Sequence, residues 1–151
     1  MTTTKRILSV RVRRKYDESP DLSYLGEYSD KPADVHIDRK QTGDMGRSEF
    51  RYFSAGCGDP EYIEQDYARA EAFNRGDWCM VGIWAEAKVK LSGEVVQTIR
   101  SGGLWNIESD SGAEYFEEVA AEELEQLSAE LAELGFSADE VAAVEIVSDL
   151  D

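Results

Sequence analysis

Gly102-Gly-Leu-Trp-Asn-Ile-Glu-Ser-Asp-Ser-Gly112, with the glutamate-rich run from Ala113 to Phe136 that follows it, is the stretch around which the fold is organised. Phe116, Val119, Ala120, Leu124, Leu127, Leu131 and Leu134 recur at three- and four-residue spacing and draw one apolar stripe along a helix. Ser111-Gly-Ala-Glu114 has the form of a capping box, in which the Ser111 hydroxyl accepts from a backbone N–H and Glu114 reaches back to the Ser111 amide. The pattern predicts a long helix that starts near Gly112 and is stopped by Gly135. Residues 102–111 read as the turn leading into it, with Trp105 beside Ile107 as a core plug where the helix begins.

Upstream, Val81, Ile83, Ala85, Ala87, Val89 and Leu91 alternate with Met80, Gly82, Trp84, Glu86, Lys88 and Lys90, the signature of a strand. Ser92-Gly-Glu94 is a short turn and Val95 to Ser101 a returning strand, so a hairpin feeds the chain into the helix. Residues 7–16 alternate likewise: Leu8, Val10, Val12 and Tyr16, interrupted by Arg14, face one way, and Ser9, Arg11, Arg13 and Lys15 form a basic outer face. Weaker extended patterns lie at 24–28, 35–38 and 50–53, with an exposed loop at 39–48. Asp59-Pro60 opens a helix that runs to Asn74, with Tyr62, Ile63, Tyr67, Ala70 and Phe73 inward and Gly76 ending it. Ser137-Ala-Asp-Glu140 is a second capping box opening a last helix with Val141 and Val144 inward, and Glu145-Ile-Val fits either that helix or a terminal strand. The expected fold is α+β in a single domain, 1–151: an antiparallel sheet with a central helix and C-terminal helices packed on one face.

Charge is distributed unevenly. Residues 1–100 hold 17 acidic and 16 basic side chains, whereas residues 101–151 hold 15 acidic and none basic, so nearly all of the net charge of −16 lies in the last third. Glu114, Glu117, Glu118, Glu122, Glu123, Glu125, Glu130 and Glu133 are expected to project from the helix face opposite the apolar stripe, with Glu108 and Asp110 just before it. A solvated helix that only needs solubility normally alternates lysine with glutamate to gain i,i+4 pairs; here Glu114, Glu118 and Glu122 repel one another instead. Acids three to four residues apart lie about 5 to 6 Å apart along the helix, the same order as phosphates along a strand. A pI near 4.4 argues against direct nucleic-acid binding through a phosphate footprint and favours a basic partner that itself holds nucleic acid.

Signals for catalysis and metal binding are sparse. Cys57 and Cys79 are not in a Cys-x-x-Cys pair and read as buried thiols. His36 is the only histidine and is not marked as activated, and the usual zinc ligand sets are absent. Asn106, Glu108, Asp110 and Glu117 fall at positions 1, 3, 5 and 12 of a calcium loop, but the glycine required at position 6 is Ser111, so capping of the helix explains them better. No enzyme activity, cofactor or metal is expected. Trp84, on the hairpin face with Glu86, Lys88 and Lys90, is a candidate partner anchor. No run reaches the roughly 18 to 20 apolar residues of a membrane span, and the N-terminus lacks a secretory h-region, so the cytoplasm of a host bacterium is the expected compartment and no membrane the partner.

Gly76-Asp-Trp-Cys-Met-Val-Gly-Ile-Trp-Ala-Glu-Ala87 and Ser101-Gly-Gly-Leu-Trp-Asn-Ile-Glu-Ser-Asp-Ser111, with the Glu-rich helix ending Leu-Gly-Phe, resemble a family of small, acidic and largely uncharacterised proteins of bacteriophages and prophages over about residues 50–136. The resemblance transfers no functional residue and implies only a setting. Small acidic inhibitors of restriction enzymes and CRISPR complexes are a known class there. The expected function is therefore an acidic nucleic-acid mimic that occupies the basic nucleic-acid-binding surface of a host CRISPR effector or restriction nuclease. The alternative is a phage accessory or regulatory module that binds through the hairpin face, with the acidic helix serving solubility. A homodimer would double the acidic surface.

Overall fold

The computed structural model describes residues 5–42, 50–56 and 60–150. In chain order the elements are β1 (Arg6–Tyr16), β2 (Gly26–Ser29), β3 (His36–Asp38), α1 (Arg39–Thr42), β4 (Tyr52–Ala55), α2 (Ile63–Asn74), β5 (Met80–Lys90), β6 (Val96–Arg100), β7 (Leu104–Glu108), α3 (Ala113–Glu133), α4 (Ala138–Ala142) and β8 (Ile146–Asp149). The fold is α+β, with an antiparallel-dominated sheet and helices packed on it. Contacts divide the chain into two compact units, one of Met1–Glu18 with Met80–Asp151 and one of Ser19–Cys79.

In the first unit the 11-residue β5 is the spine of a five-stranded sheet. β1 pairs antiparallel along its whole length, while β6 and β7 share the opposite edge end to end. Strict alternation turns Val81, Ile83, Ala85, Ala87 and Val89 to one side, where all five are buried. Onto that side α3 lays Phe116, Val119, Ala120, Leu127 and Leu131. Phe136 and the partly buried Val141 and Val144 of the α4 segment close the cluster as the spacing predicts. Gly135 (φ 98°) stops α3, and the Lys5 ammonium donates to the Leu134 carbonyl at its C-terminal end (2.6 Å), where a cation is favoured.

Several local expectations are corrected here. Residues 104–108 form β7 rather than a turn, and a register shift opposite Val81 and Ile83 places Asn106 at φ 60°, its N–H held by the buried Asp17 carboxylate (3.0 Å). The capping box at Ser111 does not form: Ser111 is committed to a turn on Glu108 (N–H to carbonyl, 3.1 Å), and Gly112 takes the cap position without a side-chain bond. The box at Ser137 and Glu140 does form, with both bonds present (3.1 and 3.2 Å). The terminal segment is a strand, and β8 runs parallel to β1, so the sheet is not wholly antiparallel. Tyr16 is exposed rather than inward, and Arg14 keeps its inward place by lying over the Phe116 ring and donating to the Leu150 carbonyl (2.8 Å).

The second unit is a three-stranded antiparallel sheet, β2-β4-β3, with α2 against it. Its centre is Phe53, fully buried between Tyr28 and Tyr67, and beside it the fully buried Arg39. Arg39 donates to Tyr67 Oη (3.1 Å), to the Phe50 carbonyl and to Glu71 (3.3 Å), which also accepts from Tyr28 Oη at 2.7 Å. Burial, reinforced by the bond to the Glu71 carboxylate, pushes the Tyr28 phenol far above its usual range. α2 begins at Ile63, later than Pro60, and Tyr62 is exposed where it was expected inward; the proposed Asp59 cap lies outside the described residues. The expected loop at 39–48 starts as α1, and its remainder, 43–48, lies outside the described residues.

Candidate functional site

The expected acidic face exists, with one member removed. Glu114, Glu117, Glu118, Glu122, Glu125 and Glu133 are exposed and Glu130 partly so, and at 100° per residue the six exposed acids fall on less than half of the α3 circumference. None of these seven pairs with a described cation. Five of the exposed six sit between Glu114 and Glu125, on a helix of about 31 Å. The helix dipole favours only Glu114, because its effect fades after the first turn. Glu108 ends β7, partly buried, and Asp110 lies exposed in the turn after it.

Glu123 is the exception. It is 3% exposed and points into the sheet, where Oε1 accepts from Ser101 Oγ (2.9 Å) and from the Gly103 N–H (2.6 Å). Ser101 Oγ in turn accepts from the Ala85 N–H (2.9 Å). β6 and β7 part company at 101–103, and the carboxylate supplies an acceptor that the interrupted ladder lacks there. Glu123 is therefore a structural residue of the hairpin, in contrast to its expected outward place.

The opposite face of the sheet carries the opposite charge. Register places Arg6, Arg11, Arg13, Lys15, Lys88, Lys90 and Arg100 on it, seven of the chain's 16 basic side chains, against Glu86, Glu108 and Asp149. Arg13 pairs with Glu86 (3.1 Å) and Arg11 with Asp149 (3.6 Å), both at partly exposed positions. Between these strands Ser9, Arg11, Arg13, Glu86 and Lys88 line a shallow cleft of about 320 Å³.

The tryptophans exchange their expected places. Trp84 is 5% exposed and Trp105 is 40% exposed. Trp105 lies over Gly82, where a Cβ would come within 2.2 Å of its ring, and stacks on Trp84 with centroids 5.6 Å apart and planes 21° from parallel. The Arg100 guanidinium covers Trp84 at 4.4 Å. The Trp84 indole N–H is buried and finds no hydrogen-bond partner among the described residues. Sequence reasoning missed this pair, although Gly82 inside a strong strand pattern is the signal for a close approach.

Compared with known proteins, the chain matches no family model, no curated protein and no solved structure. His36 is exposed, and its Nδ1 lies 2.7 Å from the Ala33 carbonyl oxygen while its ring packs edge-on against Tyr52. Cys79 is partly buried, and Cys57 lies outside the described residues. Among the described residues no group of three or more His, Cys, Asp and Glu side chains is placed to hold a metal. No described helix is long and apolar enough to cross a membrane.

Proposed function

We propose that the protein is a phage-encoded, non-enzymatic inhibitor that presents α3 to the basic nucleic-acid-binding surface of a host defence protein. The observation that carries the reading is the row of exposed glutamates between Glu114 and Glu125, none neutralised by a described cation, on a rigid helix packed along a sheet. Self-repulsion at i,i+4 spacing costs a few tenths of a kcal/mol per pair, and a basic groove would turn that cost into attraction. Steering by such a field speeds encounter and makes binding salt-sensitive. The host setting is what the expected resemblance of residues 50–136 to phage and prophage proteins would imply.

The test is capture of partners on the tagged protein from a bacterial host lysate, washed at low and then high salt, beside a variant carrying Glu118→Lys, Glu122→Lys and Glu125→Lys. Nucleases or CRISPR effectors that leave with salt, compete with nucleic acid and are lost by the variant support the proposal. Unchanged capture by the variant removes α3 from the interface. A second reading, an accessory module that binds through the hairpin face, is favoured by the 40% exposure of Trp105.

A further inference from the structure

The hairpin-face reading leaves the ligand open, and the chemistry of that face identifies one. Arg11, Arg13 and Lys15 occupy alternate positions of β1 and project about 6.8 Å apart, comparable to successive phosphates of an extended single strand. The row's neighbours on β5 include Gly82 and Trp84: Lys15 stands opposite Gly82, over which Trp105 lies, and Arg13 stands opposite Trp84. Trp105 is backed by Trp84, which Arg100 covers in turn, so the exposed indole is held in place rather than free to swing. A fixed aromatic surface beside a row of cations is what a stacked base and its phosphates require, and stacking accepts any base. The Arg11–Asp149 pair is half-exposed and long at 3.6 Å, so a phosphate oxygen can replace Asp149, while Arg13, itself 38% exposed, keeps guanidinium N–H groups to offer a phosphate beside its partly buried bond to Glu86.

Overall acidity does not oppose this. The exposed glutamates of α3 point away from the sheet across at least one helix diameter, about 10 Å, while the screening length is about 8 Å at physiological salt. The pI reports an average, and the face is governed by its own cations.

We propose that the outer face of the sheet binds single-stranded nucleic acid, with a base stacked on Trp105 and phosphates along Arg11, Arg13 and Lys15. The proposal rests on the hairpin-face reading and is independent of the role given to α3.

The experiment is fluorescence anisotropy of a labelled oligothymidylate of about 12 nucleotides titrated with the full chain at about 50 and 200 mM salt. Saturable binding is expected, with a log–log salt slope of about −2 for three phosphate contacts. Trp105→Ala should weaken it about tenfold and Trp105→Phe much less, with far-UV circular dichroism unchanged. Because Lys15 is exposed, Lys15→Glu tests the same face without touching the packing and should weaken binding and flatten the slope. Asp139→Asn, exposed on α4, should leave the affinity within about twofold. Absence of binding at about 50 mM salt overturns the proposal, as does equal binding by Trp105→Ala. If the oligonucleotide does not bind but Trp105→Ala abolishes capture of a protein, the hairpin face is an interface and the nucleic-acid assignment falls. A dimer in sedimentation velocity that Lys15→Glu dissociates gives the face to a second copy and overturns the assignment too.

Discussion

Replacing Glu123 by alanine separates the two roles that glutamates play on α3. The carboxylate is 3% exposed and accepts two hydrogen bonds, from Ser101 Oγ and the Gly103 N–H. Bonds to a charged acceptor contribute about 1.5 to 3 kcal/mol each, and the groups left without this acceptor are a partly buried backbone N–H and a buried hydroxyl. Ser101 Oγ keeps the Ala85 N–H, which limits the damage on that side. The expected loss is about 3 kcal/mol, a fall in melting temperature of about 9 °C for a chain of this size. Glu123→Gln keeps an acceptor at the same place and should lose about 1 kcal/mol. Glu122→Ala, one residue away and exposed, should fall within about 0.5 kcal/mol of the parent. Urea unfolding of the three variants at pH 7 measures all of this. If Glu123→Ala and Glu122→Ala cost the same, the carboxylate does not bridge β6 and β7 and belongs with the outward row.

Three further outcomes follow from the packing. Gly82→Ala puts a methyl within 2.2 Å of the Trp105 ring, so the indole must leave Trp84; about 1 to 3 kcal/mol of stability and the stacked-pair signal in near-UV circular dichroism should go together. Arg39→Met leaves Glu71 as an uncompensated buried charge and should destabilise the second unit by about 3 to 5 kcal/mol, read as lost hydrogen-exchange protection in α2 and β4. Arg51→Met, which breaks a partly buried, bidentate pair with Asp38 (2.9 and 2.7 Å), should cost about 1 to 3 kcal/mol by the same measure. Ser137→Ala removes a formed capping box and should cost about 1 kcal/mol in urea, whereas Ser111→Ala, whose hydroxyl caps nothing, should be near neutral.

The strands β1 and β5 and the helix α3 were legible because apolar residues recur along one face at the period of the backbone, and β6 because the Ser92-Gly-Glu94 turn returns the chain beside β5. β7 was not legible. It is five residues long, three of them exposed, and its bulge at Asn106 breaks the alternation that would have revealed it. The two capping boxes show the same limit from another side. Both have the required residue types at the required spacing, yet Ser111 is claimed by the turn that ends β7, and only Ser137 is free to cap.

From sequence alone came the α+β class, the acidic helix and the concentration of negative charge after Arg100, because composition and period are properties of the chain itself. Which glutamate is buried, which tryptophan is exposed, and that seven cations gather on one sheet face were decided by tertiary structure. Each depends on register: β5 sets Gly82 under Trp105 and Ala85 beside Ser101, and α3 then delivers Glu123 to the gap between β6 and β7. The residues that meet are between 16 and 23 positions apart in sequence, and no local pattern carries information across that distance.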